Sequence, residues 1–244
     1  MHIVGKLQAS EERMMNETAV ANRITTSIVV PAYNEERGLA VVLQAIFSAV
    51  NGAHEVIVVD DGSNDATAEV ASKFPCRVIK HEENRGKGHA LKTGVYHAVG
   101  KNVIFIDADN TYPAEAIPQM CEALESCDIV YASRATGRNN IPRFNRVGNL
   151  MFQKMIRGIY GFKGSDYSTG LYGIRKHLLE RMEVSSPGFS IEPEIAIKAS
   201  RMKLLAYDIP IEYRPRVGKA KLSGPRGGFE HLKTIVGHMF WRPS

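Results

Sequence analysis

The chain has 244 residues, with 31 Lys and Arg against 26 Asp and Glu, a formal charge of +5, and 44% hydrophobic and 23% charged residues. These are the proportions of a globular soluble protein able to bury a sizeable core in one domain, and no apolar run approaches the length of a membrane-spanning helix. The basic surplus suits an anionic partner, whether phosphate, nucleic acid or a lipid surface, and does not choose among them. Three cysteines, Cys76, Cys121 and Cys127, lack metal-ligand spacing and point to inert thiols in a reduced compartment. Residues 1–24 carry scattered charges without a signal-peptide core, so they read as a poorly ordered leader of a cytoplasmic protein.

Thr26 to Pro31 reads as a first strand, followed by the polar loop Ala32-Tyr33-Asn34-Glu35-Glu36. Leu39, Val42, Leu43, Ile46 and Phe47 then recur at helical spacing. Glu55 to Val59 is a second apolar strand ending in Asp60-Asp61-Gly62-Ser63, and Ser63 or Asn64 is placed to cap a helix over Asp65 to Lys73. Arg77 to Lys80 reads as a third strand, and Asn84-Arg85-Gly86-Lys87-Gly88 leads into a helix through Leu91 and Val95. Val103 to Ile106 is a fourth strand, apolar on both faces, which ends in Asp107-Ala108-Asp109. A helix from about Ala114 to Leu124 and a strand from Asp128 to Ala132 follow.

Strand alternating with helix is the grammar of an α/β fold, a single doubly wound, mostly parallel sheet with helices on both faces. Ligands of such sheets sit beyond the carboxyl ends of the strands, where Tyr33, Glu35, Asp60, Asp61, Asp107 and Asp109 fall. The second half is less regular. Arg138 to Arg146 reads as a basic loop, Val147 to Ile159 as a helix, and 164–170 as a polar loop. Ser190 to Ile195 opens a helix with Pro193 in its first turn, and Leu204 to Ile211 reads as a strand. Arg214 to Gly228, rich in basic residues, glycine and proline, reads as a mobile loop that orders on an anion. Residues 229–244 form an amphipathic C-terminal helix, suited to packing or to a membrane surface, which leaves 25–228 as the main domain.

Neither a GxxxxGK[ST] phosphate loop, a GxGxxG turn nor a GxSxG elbow is present, which disfavours P-loop nucleotidases, dinucleotide enzymes and serine hydrolases. A nucleic-acid role fits poorly, because the aromatics of the basic half are not interleaved with its cations. Acids at three strand ends and basic residues in later loops remain. Asp107 and Asp109, leaving a strand together, can both reach one hard cation such as Mg2+ or Mn2+, which takes carboxylate and phosphate oxygens.

Val30-Pro31-Ala32-Tyr33-Asn34-Glu35, Val58-Val59-Asp60-Asp61-Gly62-Ser63, Asn84-Arg85-Gly86-Lys87-Gly88 and Asp107-Ala108-Asp109 resemble, in order and spacing, the motifs of family 2 glycosyltransferases. Ser133-Arg134, Asp166 with Thr169-Gly170, Ile191 to Glu194 and Gly218 to Leu222 resemble later motifs of the dolichyl- and polyprenyl-phosphate sugar synthases. The resemblance covers about Ser27 to Leu222. It implies a GT-A fold and metal-dependent transfer of a hexose, from a GDP-mannose or UDP-glucose type of donor, to a polyprenyl or dolichyl phosphate. It also implies that Pro31, Tyr33, Glu35, Asp60, Asp61, Lys87 and Ala108 bind the donor, with Asp60 holding the loop or sharing the pocket. Asp107 and Asp109 would bind the metal, Arg134 and Arg146 the acceptor phosphate, and Lys219 and Lys221 would close over either phosphate.

A phosphate acceptor is already anionic and needs no general base, so the reaction would invert the anomeric carbon in one displacement. His81, His89 and His97 then read as surface or packing residues. Two positions depart from the mannose synthases: Thr111 stands where a Gln commonly aids the metal, and Gly170-Leu171-Tyr172 replaces Gly-Phe-Arg. Lipid contact would rest on the basic loops, the C-terminal stripe or a membrane partner subunit, at the cytoplasmic face of the membrane. Two alternatives stay open: a soluble hydroxyl acceptor, with Glu192, Glu194 or Asp166 as base, and a non-catalytic nucleotide-sugar-binding subunit.

Overall fold

The computed structural model describes residues 24–218 and 224–243. The leader as far as residue 23, and the candidate lysines Lys219 and Lys221, lie outside the described residues. Strands β1 (Thr26–Ala32), β2 (His54–Asp60), β3 (Arg77–Lys80) and β4 (Asn102–Phe105) are joined by helices α1 (Glu36–Ala49), α2 (Thr67–Ala71) and α3 (Lys87–His97). After β4 come a 3-10 turn, α4 (Ile117–Ser126), β5 (Ile129–Thr136) and α5 (Arg143–Tyr160). The chain then forms β6 (Tyr172–Arg175), α6 (Lys176–Met182), α7 (Ile191–Arg201), β7 (Ala206–Glu212) and α8 (Gly224–Gly237).

The seven strands lie in the order β3-β2-β1-β4-β6-β5-β7. All neighbours are parallel except β6, which runs antiparallel to both β4 and β5. Successive residues of β1 serve opposite faces: Val29 joins the layer under α3 and α7, while Ile28 and Val30 join the layer under α1 and α4. That double burial is why the strands read as unbroken apolar runs. Leu39, Val42, Leu43 and Ile46 of α1 fill the second layer, each worth roughly 1.5–3 kcal/mol of transfer free energy.

The antiparallel β6 went unread because its four residues follow a polar loop and contain Gly173, which weakens any strand pattern. In place that glycine fits a tight spot, since a Cβ would stand 3.0 Å from both Ile104 Cγ1 and Leu124 Cδ1, which would have to give by a few tenths of an ångström.

Three local expectations are corrected. Helix α2 is shorter than 65–73 and lacks a side-chain cap. The Ser63 hydroxyl instead accepts a hydrogen bond from the Asn34 N–H at 2.9 Å, tying two motif loops together. The basic stretch from Arg138 is a 3-10 turn at Arg138–Asn140 followed by the start of α5, not an open loop. Helix α8 begins at Gly224, inside the segment read as a mobile loop. It is held by the fully buried Ile235, whose carbonyl accepts the Tyr160 hydroxyl bond. Among the described residues, no helix is long and apolar enough to cross a membrane.

Candidate active site

The loops leaving β1 and β4 each turn at an asparagine in the left-handed region, Asn34 at φ 50° and Asn110 at φ 63°, a conformation that asparagine tolerates better than most residues. They open a cavity of about 800 Å³ at the carboxyl ends of the parallel strands. Pro31, Tyr33, Glu35, Asp61, Lys87, Asp107, Ala108, Asp109 and Arg134 all line it. Nine residues chosen from motifs up to 103 positions apart thus share one wall system. Phe144, Met151 and Phe152 of α5 and His231 of α8, which the sequence reading left unassigned, line the cavity too.

Asp107 and Asp109 sit on a tightly packed loop. A Cβ on Gly38 of α1 would come within 2.6 Å of the Ala108 carbonyl oxygen, and one on Gly170 would collide with the Asp107 carboxylate. Both glycines are therefore conditions for the acid pair. Lys87 Nζ lies 2.7 Å from Asp107 Oδ1 and 2.5 Å from Glu192 Oε1. Burial works against the Lys87 charge, yet Asp107 and Glu192 hold its ammonium well above the ordinary lysine range. Asp109 Oδ1 accepts bonds from the Thr111 N–H at 3.0 Å and hydroxyl at 2.5 Å. Thr111, the departure noted above, is thus fully buried and orients Asp109. Arg216 Nη2 takes the other oxygen, Oδ2, at 2.6 Å.

Burial, and next the negative charge of Asp107, push the Asp109 carboxyl up, with Arg216 and Thr111 opposing. Among the described residues no cluster of three or more His, Cys, Asp or Glu could hold a metal. Two hard carboxylates facing a cavity still fit Mg2+ or Mn2+, because such ions complete their shell with water and substrate phosphates.

Asp60 and Asp61 divide their labour. Asp60 is fully buried and outside the cavity lining; its Oδ1 accepts from the Ser63 N–H at 2.9 Å, so it shapes the loop. Asp61 faces the cavity, yet its oxygens accept from the Arg85 and Gly86 N–H groups at 3.0 and 2.8 Å. His81 lies 2.7 Å from Asp61 Oδ1 and 2.9 Å from the Thr93 hydroxyl. Asp61 therefore anchors the 84–88 loop, and the buried His81 orients Asp61.

Arg134 does not stand ready for a free phosphate. Its Nε and Nη2 bond Asp166 at 2.5 and 2.7 Å, and Tyr213 lies 5.5 Å from its guanidinium carbon. Arg146 is outside the cavity lining and donates to Asn139 Oδ1 at 3.0 Å. Glu194 is buried against Lys198 at 2.7 Å. Burial opposes its charge, but bonds from His238, Lys198, Ser186 and Ser185 hold its carboxyl far below the usual range. His231 Nε2 lies 3.2 Å from the Phe189 carbonyl and Nδ1 3.4 Å from the Tyr167 hydroxyl. A carbonyl only accepts, so Nε2 carries the proton and Nδ1 accepts from Tyr167.

A dolichyl-phosphate hexose transferase of Haloferax volcanii is 34% identical over 86% of this chain and 92% of its own length. A dolichol-phosphate mannosyltransferase of Pyrococcus furiosus is 33% identical over 88% of this chain, which spans 64% of that relative. Glucosyl-3-phosphoglycerate synthase of Mycobacterium tuberculosis, solved with Mn2+, uridine-diphosphate-glucose and phosphoglyceric acid, superposes with a TM-score of 0.74 at 22% identity. The match covers 93% of this chain and 83% of that one, and establishes the GT-A fold. The family model described as Glycosyl transferase family 2 matches residues 27–182. With the acid-lined cavity lying where those motifs converge, the chain belongs to glycosyl transferase family 2 and is a glycosyltransferase.

Proposed function

We propose that this enzyme moves a hexose from a nucleoside diphosphate sugar to a polyprenyl or dolichyl phosphate, with Mg2+ or Mn2+ held by Asp107 and Asp109. The observation that carries the reading is the shared cavity. Pro31, Tyr33, Glu35 and Ala108, which we assign to the donor, line it together with the two acids and with Phe144, Met151 and Phe152 of α5. The relatives named for dolichyl phosphate transfer support the acceptor class.

The metal would offset negative charge developing on the leaving diphosphate. Thr111 keeps Asp109 aimed, and Asp61 holds the backbone of residues 85 and 86 against the donor. Lys87, fixed between Asp107 and Glu192, places one more positive charge at the phosphate end. Arg134 acts from within its ion pair with Asp166, and Arg146 would have to turn from Asn139 to meet the acceptor.

Transfer to a hydroxyl would require a free base. Of the three candidates only Glu192 lines the cavity, and its oxygen is held by Lys87, while Asp166 is taken by Arg134 and Glu194 by Lys198. His231 has both nitrogens engaged. An acceptor that arrives already ionised suits this wall.

The lipid would approach at the cytoplasmic membrane face along α5. Phe144, Val147, Leu150 and Met151 are 52–71% exposed, on the side of α5 opposite the buried Phe152, Ile156 and Tyr160. The helix also carries Arg143, Arg146, Lys154 and Arg157 and no acid, the composition of a surface helix on anionic lipid. Phe144 and Met151 also line the cavity, so the apolar face runs continuously into the site.

The deciding experiment incubates the protein with radiolabelled GDP-mannose, UDP-glucose or UDP-N-acetylglucosamine, polyprenyl phosphate and Mn2+ or Mg2+. Label extracted into organic solvent from one donor, and abolished by EDTA, is the expected result. Nucleotide-sugar binding without lipid labelling would move the acceptor to the soluble class; catalysis of no transfer at all, with binding intact, would favour a donor-binding subunit.

A further inference from the structure

Two protein cations occupy the oxygens that a metal would use. Lys87 holds Asp107 Oδ1 and Arg216 holds Asp109 Oδ2, while Thr111 fills Asp109 Oδ1. The two cations are placed differently. Lys87 is built into the first turn of α3 with only 13% of its side chain exposed. Arg216 reaches in from the segment between β7 and α8 with 32% exposed, and its Nη1 stands 3.6 Å from Glu35 Oε1.

The stretch 214–217 is laid directly on the acid loop. The Arg214 N–H donates to the Thr111 carbonyl and the Val217 N–H to the Asp109 carbonyl, both at 2.9 Å. Its backbone position is thus set by the metal loop itself, while the guanidinium stays at the cavity surface.

We propose that Arg216 is a place-holder for the divalent cation, which it releases from Asp109 as metal and donor diphosphate bind together. This rests on the metal and donor roles given above. A Mg2+ or Mn2+ ion sits about 2.0–2.2 Å from a carboxylate oxygen. A guanidinium 2.6 Å from the same oxygen would then face a dipositive ion at close range, a repulsion magnified in a buried, low-dielectric site. Arg216 therefore competes with the metal. Once displaced it needs an anion, and the diphosphate beside the metal offers one that a guanidinium matches with two hydrogen bonds. Its partner changes from a carboxylate to a phosphate with no change of charge state.

The consequence is linkage. Metal alone must evict Arg216, whereas metal with a nucleoside diphosphate gives it a new partner, so each ligand strengthens the other reciprocally. A merely structural Arg216–Asp109 pair predicts no such dependence on the nucleotide.

The test is a titration of the full-length protein with Mn2+, read from the electron paramagnetic resonance of free Mn2+, alone and with UDP or GDP. Wild type should bind Mn2+ weakly alone and gain about 5- to 150-fold with the matching nucleotide, the usual span of coupling between two sites. Arg216→Gln should bind Mn2+ alone at least about ten-fold tighter, a change of about 1.4 kcal/mol, and lose most of the gain from nucleotide. Arg216→Lys should retain weak binding of the metal alone. An unchanged or weaker Mn2+ affinity in a folded Arg216→Gln, checked by thermal melting, overturns the exchange and leaves the metal assignment standing. Absence of Mn2+ binding by every variant, even with nucleotide, overturns the metal assignment and the exchange with it.

Discussion

Asp166 grips Arg134 through two parallel hydrogen bonds, Nε to Oδ2 at 2.5 Å and Nη2 to Oδ1 at 2.7 Å, with both side chains buried at the cavity wall. Removing one partner leaves the other charged and without its main counter-ion in a low-dielectric setting. Asp166→Ala should lower stability by about 3–5 kcal/mol, measured by urea unfolding. Replacing both partners, Arg134→Met with Asp166→Leu, should recover much of that stability while transfer activity stays lost. Full activity in the double variant would remove Arg134 from the reaction.

Asp109 depends on Thr111 for its aim. Asp109→Asn should abolish Mn2+ binding and reduce transfer by several kcal/mol of barrier, roughly 10³-fold or more. Thr111→Val keeps the shape and deletes the hydroxyl bond, so Mn2+ affinity should fall about 10- to 100-fold, as for other groups that orient a ligand. Calorimetric titration in the presence of nucleotide measures both, and an unaltered affinity in Thr111→Val would show that the backbone bond from residue 111 suffices.

The C-terminal end of the chain should detach in a pH-dependent way. His238 Nε2 lies 3.3 Å from Glu194 Oε1, and that bond raises its pKa above the ordinary histidine value, with burial opposing. A raised folded pKa means that the His238 contribution is complete below about pH 6.5 and fades as pH rises through the higher folded value. Glu194, whose carboxyl is depressed, contributes fully above about pH 4.5 and loses its part only as acid reaches the lower folded value. The stability difference between wild type and His238→Gln should therefore shrink as the pH rises above about 6.5 in urea titrations. A difference that is constant over this range would show that the ring contributes by packing alone.

The exposed face of α5 predicts lipid binding separable from chemistry. Val147 and Leu150 are 71% and 58% exposed and lie outside the cavity lining. Val147→Ser with Leu150→Ser should leave the fold intact and reduce co-sedimentation with phosphatidylglycerol vesicles that contain no polyprenyl phosphate. Transfer to a short-chain, water-dispersed acceptor should persist. Unchanged vesicle binding would point to α8, whose Phe229 and Val236 are also exposed.

What the sequence determined by itself were the features written in local order. The apolar runs of β1, β2 and β4 are visible because both faces of a central parallel strand are buried, and the acids that end them are visible because polarity changes abruptly there. The periodicity of α1, α3 and α5 is equally local. Only the tertiary structure decided which charge neutralises which. Arg134 and Asp166 are 32 positions apart, and Lys87 draws in both Asp107 and Glu192. No spacing rule encodes such pairs, because they follow from what the folded chain excludes from water. The same reason separates Asp60 from Asp61: adjacent in sequence and alternating in direction, one was buried beneath the loop and the other turned to the cavity. Strand β6 and the start of α8 were hidden in glycine-rich polar sequence, whose conformation is set by neighbours rather than by propensity.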